Sequence, residues 1–582
     1  MLGRLAAGGV LLSAVLISAP AQAATATRIH DVQGAAHLSP LRGTAVSVPG
    51  IVTATASNGF YLQDPQPDRD PRTSEAILVY TGSAPTAAVG DAVTVTGTVT
   101  EFRPGGADGT ANLTTTELTS PTVTVTSSGN RLPVATVLRP PTSVIENDST
   151  GDVEQSGTFD PATDGIDYYE SLESMRVQVV NAVAVGPTNS FNELPVVTTG
   201  AGPRSARGGI VLRPGDANPE RIILDDGLGF VPPMVDVSAK ASGPVTGVVS
   251  YGFGNVKIVL TAAATFTGTL TPETTRADTG TELSVGTFNV ENLDPGDPPA
   301  KFARLASIIV NNLRAPDVLA LEEVQDDNGA TDDGTVAAGQ TYAKLIAAIT
   351  AAGGPSYEFR QIDPVDDQDG GEPGGNIRVG FLFAPSRGVS FAGAPAGDST
   401  TAVAVNAGGH LTLNPGRIAP ANDAWADSRK PLAGEFVYRG RSVVVIANHF
   451  ASKGGDQPLF GRFQPPATPS ATKRAAQAKL VNDFVRQLGP QALVAVVGDL
   501  NDFEFSTTVK TVAGTQLVDL PATLPVSQRY TYVFDGNSQV LDHILLSRGA
   551  ARSYSYDIVH VNAEYTDQAS DHDPQLVRLR VR

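Results

Sequence analysis

Leu493-Val494-Ala495-Val496-Val497-Gly498-Asp499-Leu500-Asn501 is the stretch that decides the fold. The apolar, Val-rich run reads as a strand of a buried sheet. It ends in a turn that carries a carboxylate and an amide. The same arrangement recurs on both sides, in Phe288-Asn289-Val290-Glu291-Asn292, Leu321-Glu322-Glu323, Ala447-Asn448-His449-Phe450, Leu541-Asp542-His543 and Ser570-Asp571-His572. Each is a strand-like run, or a turn after one, that ends in an acid, an amide or an imidazole. Strands of one buried sheet would deliver such side chains to a common rim. A rim of Asp, Glu, Asn and His without Cys suits a hard, oxygen-seeking cation and phosphate chemistry.

Between these strands lie helical runs. Phe302, Leu305, Ile308, Ile309 and Leu313 fall at helical spacing, as do Leu480, Val481, Phe484, Val485 and Leu488. Residues 282–582 therefore read as one α/β domain whose sheets are covered by helices. The texture before it differs. Residues 24–135 read as all-β, with strands over Val46–Ala54, Gly59–Leu62, Ala76–Tyr80 and Ala92–Val99 that could close into a small barrel. Residues 136–268 form a second β-rich block, with strands at Met175–Val180 and Gly243–Val249 and a loop over Glu146–Glu170. Thr267 to Thr281 is rich in Thr, Gly and charge, and 269–281 is expected to be a linker.

The length of 582 residues calls for several domains, and 59 Gly with 42 Pro favour many short strands. Residues 1–23 have the form of a secretory leader. Arg4 is the positive start, Val10 to Ile17 the apolar stretch, and Ala21-Gln22-Ala23 the small-residue cleavage site. A secreted, extracellular protein without a membrane anchor is expected, and a monomer. The chain has no Cys, which excludes disulfides, thiolate catalysis and Cys-ligated zinc. Its net charge of −19 argues against long-range attraction to a polyanion unless divalent cations or a local basic rim offset it.

The ordered motifs resemble the endonuclease/exonuclease/phosphatase superfamily, the DNase-I-like fold, from Leu283 onward. Gly374-Gly375-Asn376-Ile377-Arg378-Val379 and His449-Phe450-Ala451-Ser452-Lys453-Gly454-Gly455-Asp456 resemble the secreted ExeM/NucH-type nucleases within it. Gly59-Phe60-Tyr61-Leu62-Gln63-Asp64 and Val89-Gly90-Asp91 resemble the OB-like domains that precede some secreted bacterial nucleases. The resemblance implies amino-terminal OB-like β domains followed by an α/β sandwich.

Carried over by position, the resemblance implies metal binding by Glu323, with Asn289, Glu291 and Asp571 beside it. It implies that Asp499 and Asn501 position the attacking water and the phosphate. It implies that His572 is the active-site histidine, Asp542 the carboxylate that orients it, and His449 a further active-site histidine. The physical need can be stated separately. A cation neutralises a phosphate oxygen, a base aligns and deprotonates water, and an Asp–His pair fixes a tautomer. One departure is that the strand beside His449, read as Asn376-Ile377-Arg378-Val379-Gly380, offers no carboxylate partner.

Arg378, Arg429, Lys453 and Arg462 are candidates for guiding a phosphate backbone, with ordinary surface charge as the competing reading. Trp425 could pack under Arg429, His543 reads as a packed strand residue, and Glu322 either faces away from the metal or adds charge to the site. Two acidic loops, Asp326 to Asp333 and Asp363 to Gly375, could bind structural Ca²⁺ or be solvated loops.

These readings lead to a secreted nuclease dependent on Mg²⁺ or Mn²⁺, hydrolysing phosphodiester bonds of DNA or RNA with little sequence preference. Two alternatives stay open: a phosphodiesterase or phosphatase acting on a lipid, inositol phosphate or nucleotide, and an adhesin with an inactive nuclease-like domain. The β domains are expected to be separable, so that removing residues 24 to about 275 leaves a folded catalytic domain.

Overall fold

The computed structural model describes residues 27–198 and 200–581. The leader expected over residues 1–23 lies outside the described residues. After a short helix, Ile29–Gln33, come β1 (Ala45–Ala56), β2 (Gly59–Gln63), β3 (Ala76–Tyr80), β4 (Ala92–Phe102) and β5 (Thr115–Ser127). They close a barrel in the order β1-β2-β3-β5-β4. Alternating residues of β1 and β4 turn inward, and Val48, Phe60, Leu62, Val79, Val95 and Leu118 fill the interior. β5 is not legible as a strand in the sequence, because Pro121 interrupts it and Ser120 takes a left-handed φ of 50°.

The next block is built on a 9-stranded sheet that includes Arg176–Val179, Val245–Gly252 and Asn255–Leu260. The stretch Glu146–Glu170 is not simply a loop. It holds the helix Gly165–Glu170, which buries Ile166 and Tyr169, and the short strand Gly151–Asp152. That strand pairs with Phe463–Gln464 of the last domain, a partner that no local pattern reveals. The segment 269–281 is not a free tether either. Thr275 donates its backbone N–H to Asn312 O at 2.9 Å, and Arg578 Nη1 donates to Thr275 Oγ1 at 3.0 Å.

The last domain packs two sheets face to face with helices outside each. The 6-stranded sheet runs Glu358–Arg360, Arg378–Phe383, Val318–Val324, Leu283–Leu293, Gln575–Leu579, Tyr554–Ile558. The 7-stranded sheet runs Val389–Phe391, Leu432–Tyr438, Arg441–His449, Val494–Asp499, Asp542–Ser547, Leu517–Asp519, with Gly416–Arg417 paired to Leu432–Tyr438. Val285, Ala320, Phe381, Val445, Val497 and Ile544 meet between the sheets. Phe302, Leu305 and Ile309 cover the outer face of the first sheet. Val481, Phe484, Val485 and Leu488 of the helix Ser470–Leu488 cover the second. This explains the helical spacing of those residues in the sequence.

The units share structure. Tyr532–Phe534 and Asn537–Gln539 form a hairpin of the last domain, and Ile210–Val211 of the middle block adds to it as a parallel strand. Among the described residues no helix is long and apolar enough to cross a membrane.

Candidate active site

Sheet register builds the rim. His449 pairs with Asp499 across parallel strands, and Asp499 pairs with Asp542 across antiparallel ones. The three side chains therefore lie in a row along one end of the second sheet. The first sheet brings Glu323 and Asn289 to the same end. Strict alternation would send Glu323 to the helix-covered face, since Leu319 and Leu321 point there. Instead the register shifts between Leu321 and Val324, and Glu323 takes a left-handed φ of 60°. This bulge turns its carboxylate into the cleft, 3.7 Å from His449 Nε2. Glu291 and Asn292, with φ of 52° and 50°, make a second such kink opposite it.

The polar groups order one another. Asn289 Nδ2 donates to Glu323 Oε1 at 2.9 Å, and the Asn292 N–H donates to Glu323 Oε2 at 3.1 Å. Asn289 Oδ1 accepts from the Glu291 N–H at 3.0 Å. Asn501 donates its backbone N–H to Asp499 Oδ1 at 2.7 Å and its amide to Asp499 Oδ2 at 3.2 Å. His572 Nδ1 lies 2.7 Å from Asp542 Oδ2, which leaves Nε2 facing Asp499 Oδ2 at 4.0 Å and Asp571 Oδ1 at 3.9 Å. His449 Nε2 is 3.6 Å from the same Asp499 oxygen.

The electrostatics separate the two histidines. Burial opposes charging His572, but the Asp542 and Asp571 charges and the Asp542 hydrogen bond outweigh it, raising its proton affinity well above the ordinary value. Burial, then the positive Arg429 and His572, hold His449 well below its ordinary value, so it is neutral. Its Nδ1 is buried without a partner among the described residues, and the strand read beside it in the sequence, Arg378–Phe383, lies in the other sheet. Burial and then the Asp542 charge push the Asp499 carboxyl up. Burial and then the Asp571 charge push Glu291 up to about 7. Glu322 points between the sheets, accepts from Thr287 Oγ1 at 2.7 Å, and is pushed well up by burial. Its burial between the sheets disfavours the charged form and keeps it off the rim.

The crowding of carboxyls tests the fit of a cation. Glu323, His449 and Asp499 each offer a ligand atom within 4.8 Å of the others, and so do Asp499, Asp542 and His572. Carboxylate oxygens and an imidazole crowded around one point suit a hard divalent cation, whose charge offsets the mutual repulsion of the acids. Asn289 serves this site by orienting Glu323, since both ends of its amide are engaged.

The basic candidates divide. Lys453 Nζ donates to Asn501 O at 2.5 Å and lies 4.3 Å from the Phe503 ring centroid, so it braces the turn that carries Asp499. Arg429 is buried beneath the rim and donates to Phe450 O at 2.8 Å. Trp425 packs on Phe450 at 5.8 Å rather than under Arg429. Arg378 and Arg462 are not placed to hold a substrate. Arg378 is 1% exposed and bound to Asn376 O, Val336 O and Asp363, and burial of that kind keeps its guanidinium out of reach of a phosphate. Arg462 is drawn to Glu154 at 3.3 Å and Asp152 at 3.6 Å, where it fixes the catalytic loop to the middle block. His543 is buried between Asp519 Oδ1 and Asp502 O, both at 2.9 Å, away from the cleft.

Tyr532 was not legible as a site residue. Its ring lies 4.7 Å from the His572 ring, and a β-bridge joins the two residues. Only the long-range hairpin brings it there, and no local motif marks it. The two acidic loops do meet. Asn376 Nδ2 donates to Asp326 at 3.1 Å and to Asp366 at 3.0 Å, and carboxylates of Asp332, Asp366 and Asp367 lie within 4.8 Å of one another in solvent.

Among solved structures, humanized D. rerio TDP2 carrying 14 mutations is 19% identical, with 52% of this chain and 100% of that chain covered and a TM-score of 0.34. An endonuclease/exonuclease/phosphatase family protein from Leptotrichia buccalis is 14% identical over 51% of this chain and 100% of that one, with a TM-score of 0.36. A mannosyl-6-phosphatase from Bacteroides thetaiotaomicron is 16% identical over 51% and 99%, with a TM-score of 0.31. No curated protein matches the chain. Residues 134–272 match a family described as a domain of unknown function, DUF8508. Residues 286–572 match the Endonuclease/Exonuclease/phosphatase family, whose members are phosphodiesterase and nuclease hydrolases that use divalent metals, and this stretch, with its two sheets and acidic rim, is an endonuclease/exonuclease/phosphatase domain.

Proposed function

We propose that this chain is a secreted, Mg²⁺- or Mn²⁺-dependent nuclease of the ExeM/NucH type that hydrolyses phosphodiester bonds of DNA or RNA. The observation that carries the reading is the convergence of the Asp542–His572 pair, at 2.7 Å, with Asp499, Glu323 and His449 at one rim. A divalent cation held by Glu323, with Asp499, Glu291 and Asp571 close by, would supply positive charge to the phosphate oxygens. His572, held by Asp542 and protonated, presents Nε2–H to the cleft and would bind a phosphoryl oxygen or return a proton to the leaving oxygen. Asp499 lies beside it with both oxygens oriented by Asn501, suited to take a proton from the attacking water. Neutral His449 would hold that water or a phosphate oxygen without adding charge.

Two exposed aromatic rings favour a polymeric substrate. Phe534 is 55% exposed, two places along the strand from Tyr532 and on the same face. Phe253 is 83% exposed at the tip of the neighbouring hairpin, where Asn255 Nδ2 donates to Asp535 at 2.9 Å. Such rings stack unpaired bases. The closed barrel, with its order β1-β2-β3-β5-β4, supports the OB-like reading of the first domain.

The test is incubation of the full chain with circular plasmid DNA, with Mg²⁺ and with EDTA. Nicking that requires the cation is expected. Intact plasmid alongside rapid hydrolysis of a lipid or sugar phosphate would replace the nucleic-acid reading with the small-phosphoester alternative.

A further inference from the structure

Outside the catalytic rim, one cluster joins a histidine to buried acids. His30 lies on the first helix, and Asp64, Asp68 and Glu75 lie at the two ends and the middle of the β2–β3 connection. His30 Nδ1 is 3.3 Å from Glu75 Oε2 and 3.9 Å from Asp68 Oδ2. His30, Asp64 and Glu75 each offer a ligand atom within 4.8 Å of the other two.

Hydrogen bonding within the loop does not account for Asp64. Its side chain is 0% exposed. Oδ1 accepts from Arg28 and from the Gln66 N–H, but Oδ2 is buried with no partner among the described residues. A buried carboxylate oxygen left empty costs free energy unless something fills it. Among the described residues, Arg28 is the only Lys or Arg side chain hydrogen-bonded to the cluster's His30, Asp64 and Glu75. His30 and Asp68 are 17% and 25% exposed, which leaves an open path to the buried acids.

We propose that His30, Asp64 and Glu75, with Asp68 as a fourth arm, form a divalent metal site separate from the catalytic rim. An imidazole among carboxylates selects a borderline transition ion, Zn²⁺ above all, over Mg²⁺ or Ca²⁺. Small side-chain rotations would bring the donors to the roughly 2.0–2.2 Å that zinc requires. The ion would clip the first helix to the β2–β3 connection in a chain without cysteine. The same elements contact the middle block, through Gln33 Nε2 to Glu173 at 3.1 Å and Ser74 Oγ to Glu173 O at 2.6 Å. Metal binding here would therefore stiffen the seam between barrel and block.

The experiment strips the full chain with chelator, dialyses it against Zn²⁺, and measures bound metal and melting temperature. His30→Asn and Glu75→Gln are compared with the wild type and with Glu323→Gln, which alters the catalytic rim alone. The expected result is that His30→Asn and Glu75→Gln each retain about one zinc fewer per chain and lose the zinc-dependent rise in Tm, while their Mg²⁺-dependent phosphodiesterase rate is unchanged. Co²⁺ in place of Zn²⁺ should give a visible absorption band in the wild type and in Glu323→Gln, which reports the site even where a His30 variant folds poorly. Equal zinc content in His30→Asn and wild type, or a cobalt band lost only with Glu323→Gln, would overturn the site and leave His30 as an ion-paired histidine.

Discussion

Phe460 packs edge-on against Tyr169, with ring centroids 6.3 Å apart and planes at 71°. Phe460 follows His449 in the catalytic domain, yet it is 1% exposed within the core of the middle β block. Tyr251 Oη donates to its carbonyl at 2.7 Å, and Phe463–Gln464 pairs with Gly151–Asp152 just beyond. The loop that carries Lys453 is thus moored in another domain.

The separable catalytic domain expected from sequence is therefore not what the packing supports. Removing residues 24 to about 275 would expose Phe460 and strip a strand from the Tyr532 hairpin. We expect the truncated chain to lose activity on a small phosphodiester as well as on long DNA. Phe460→Ala in the full chain should cost about 3–5 kcal/mol in denaturant unfolding. A soluble truncation with full activity on the small ester would show that the mooring is dispensable.

Substitutions at the rim should act as one unit. His572→Ala, Asp499→Asn and Glu323→Gln should each lower kcat on the order of 10²–10⁴-fold, with folded spectra retained. His572→Ala with Asp499→Asn should be little worse than either alone. His543→Ala should behave differently. It removes two buried hydrogen bonds and should lower stability by about 1–3 kcal/mol, with kcat nearly preserved. Multiplicative rate losses in the double variant would separate His572 from Asp499.

Phe253 occupies the first position of a two-residue hairpin turn, where its φ is 53° and Gly254 follows at 74°. Asn is the favoured residue there, and an exposed aromatic pays a conformational penalty. Phe253→Asn should therefore leave Tm unchanged or raise it slightly. If the ring stacks on substrate, the same variant should raise KM for single-stranded DNA several-fold and leave hydrolysis of a small diester untouched. Unchanged KM for the polymer would remove Phe253 from the substrate path.

His37 Nε2 lies 2.7 Å from Asp167 Oδ1, buried at the seam between barrel and middle block. Burial lowers its proton affinity, but the Asp167 hydrogen bond and the Glu170 carboxylate beside it outweigh this and push the pKa up to about 10. A raised value means that this contribution is complete below the ordinary 6.5 and is lost as pH climbs through about 10. Tm should fall across that window in the wild type and fall less in His37→Gln. Parallel profiles for the two proteins would exclude His37 as the source.

The sequence by itself determined most of the longer strands, the helices that cover the last domain, and the list of polar residues at the strand ends. Val494–Val497 running into Asp499 and Asn501 is a local pattern, and local patterns follow from backbone propensity and burial. What only the tertiary structure decided are relations between distant residues. Glu323 would face the helices by alternation, and a bulge of one residue turns it to His449. Arg378 and Arg462 have the same charge as a phosphate-guiding residue, but one is enclosed beside Asp363 and the other drawn to Glu154. Tyr532 reaches His572 through a hairpin pinned by Ile210–Val211. The physical reason is common to all of them. Charge and chemical type reside in the residue, whereas its direction and partners are fixed by sheet register and by packing against chain hundreds of positions away.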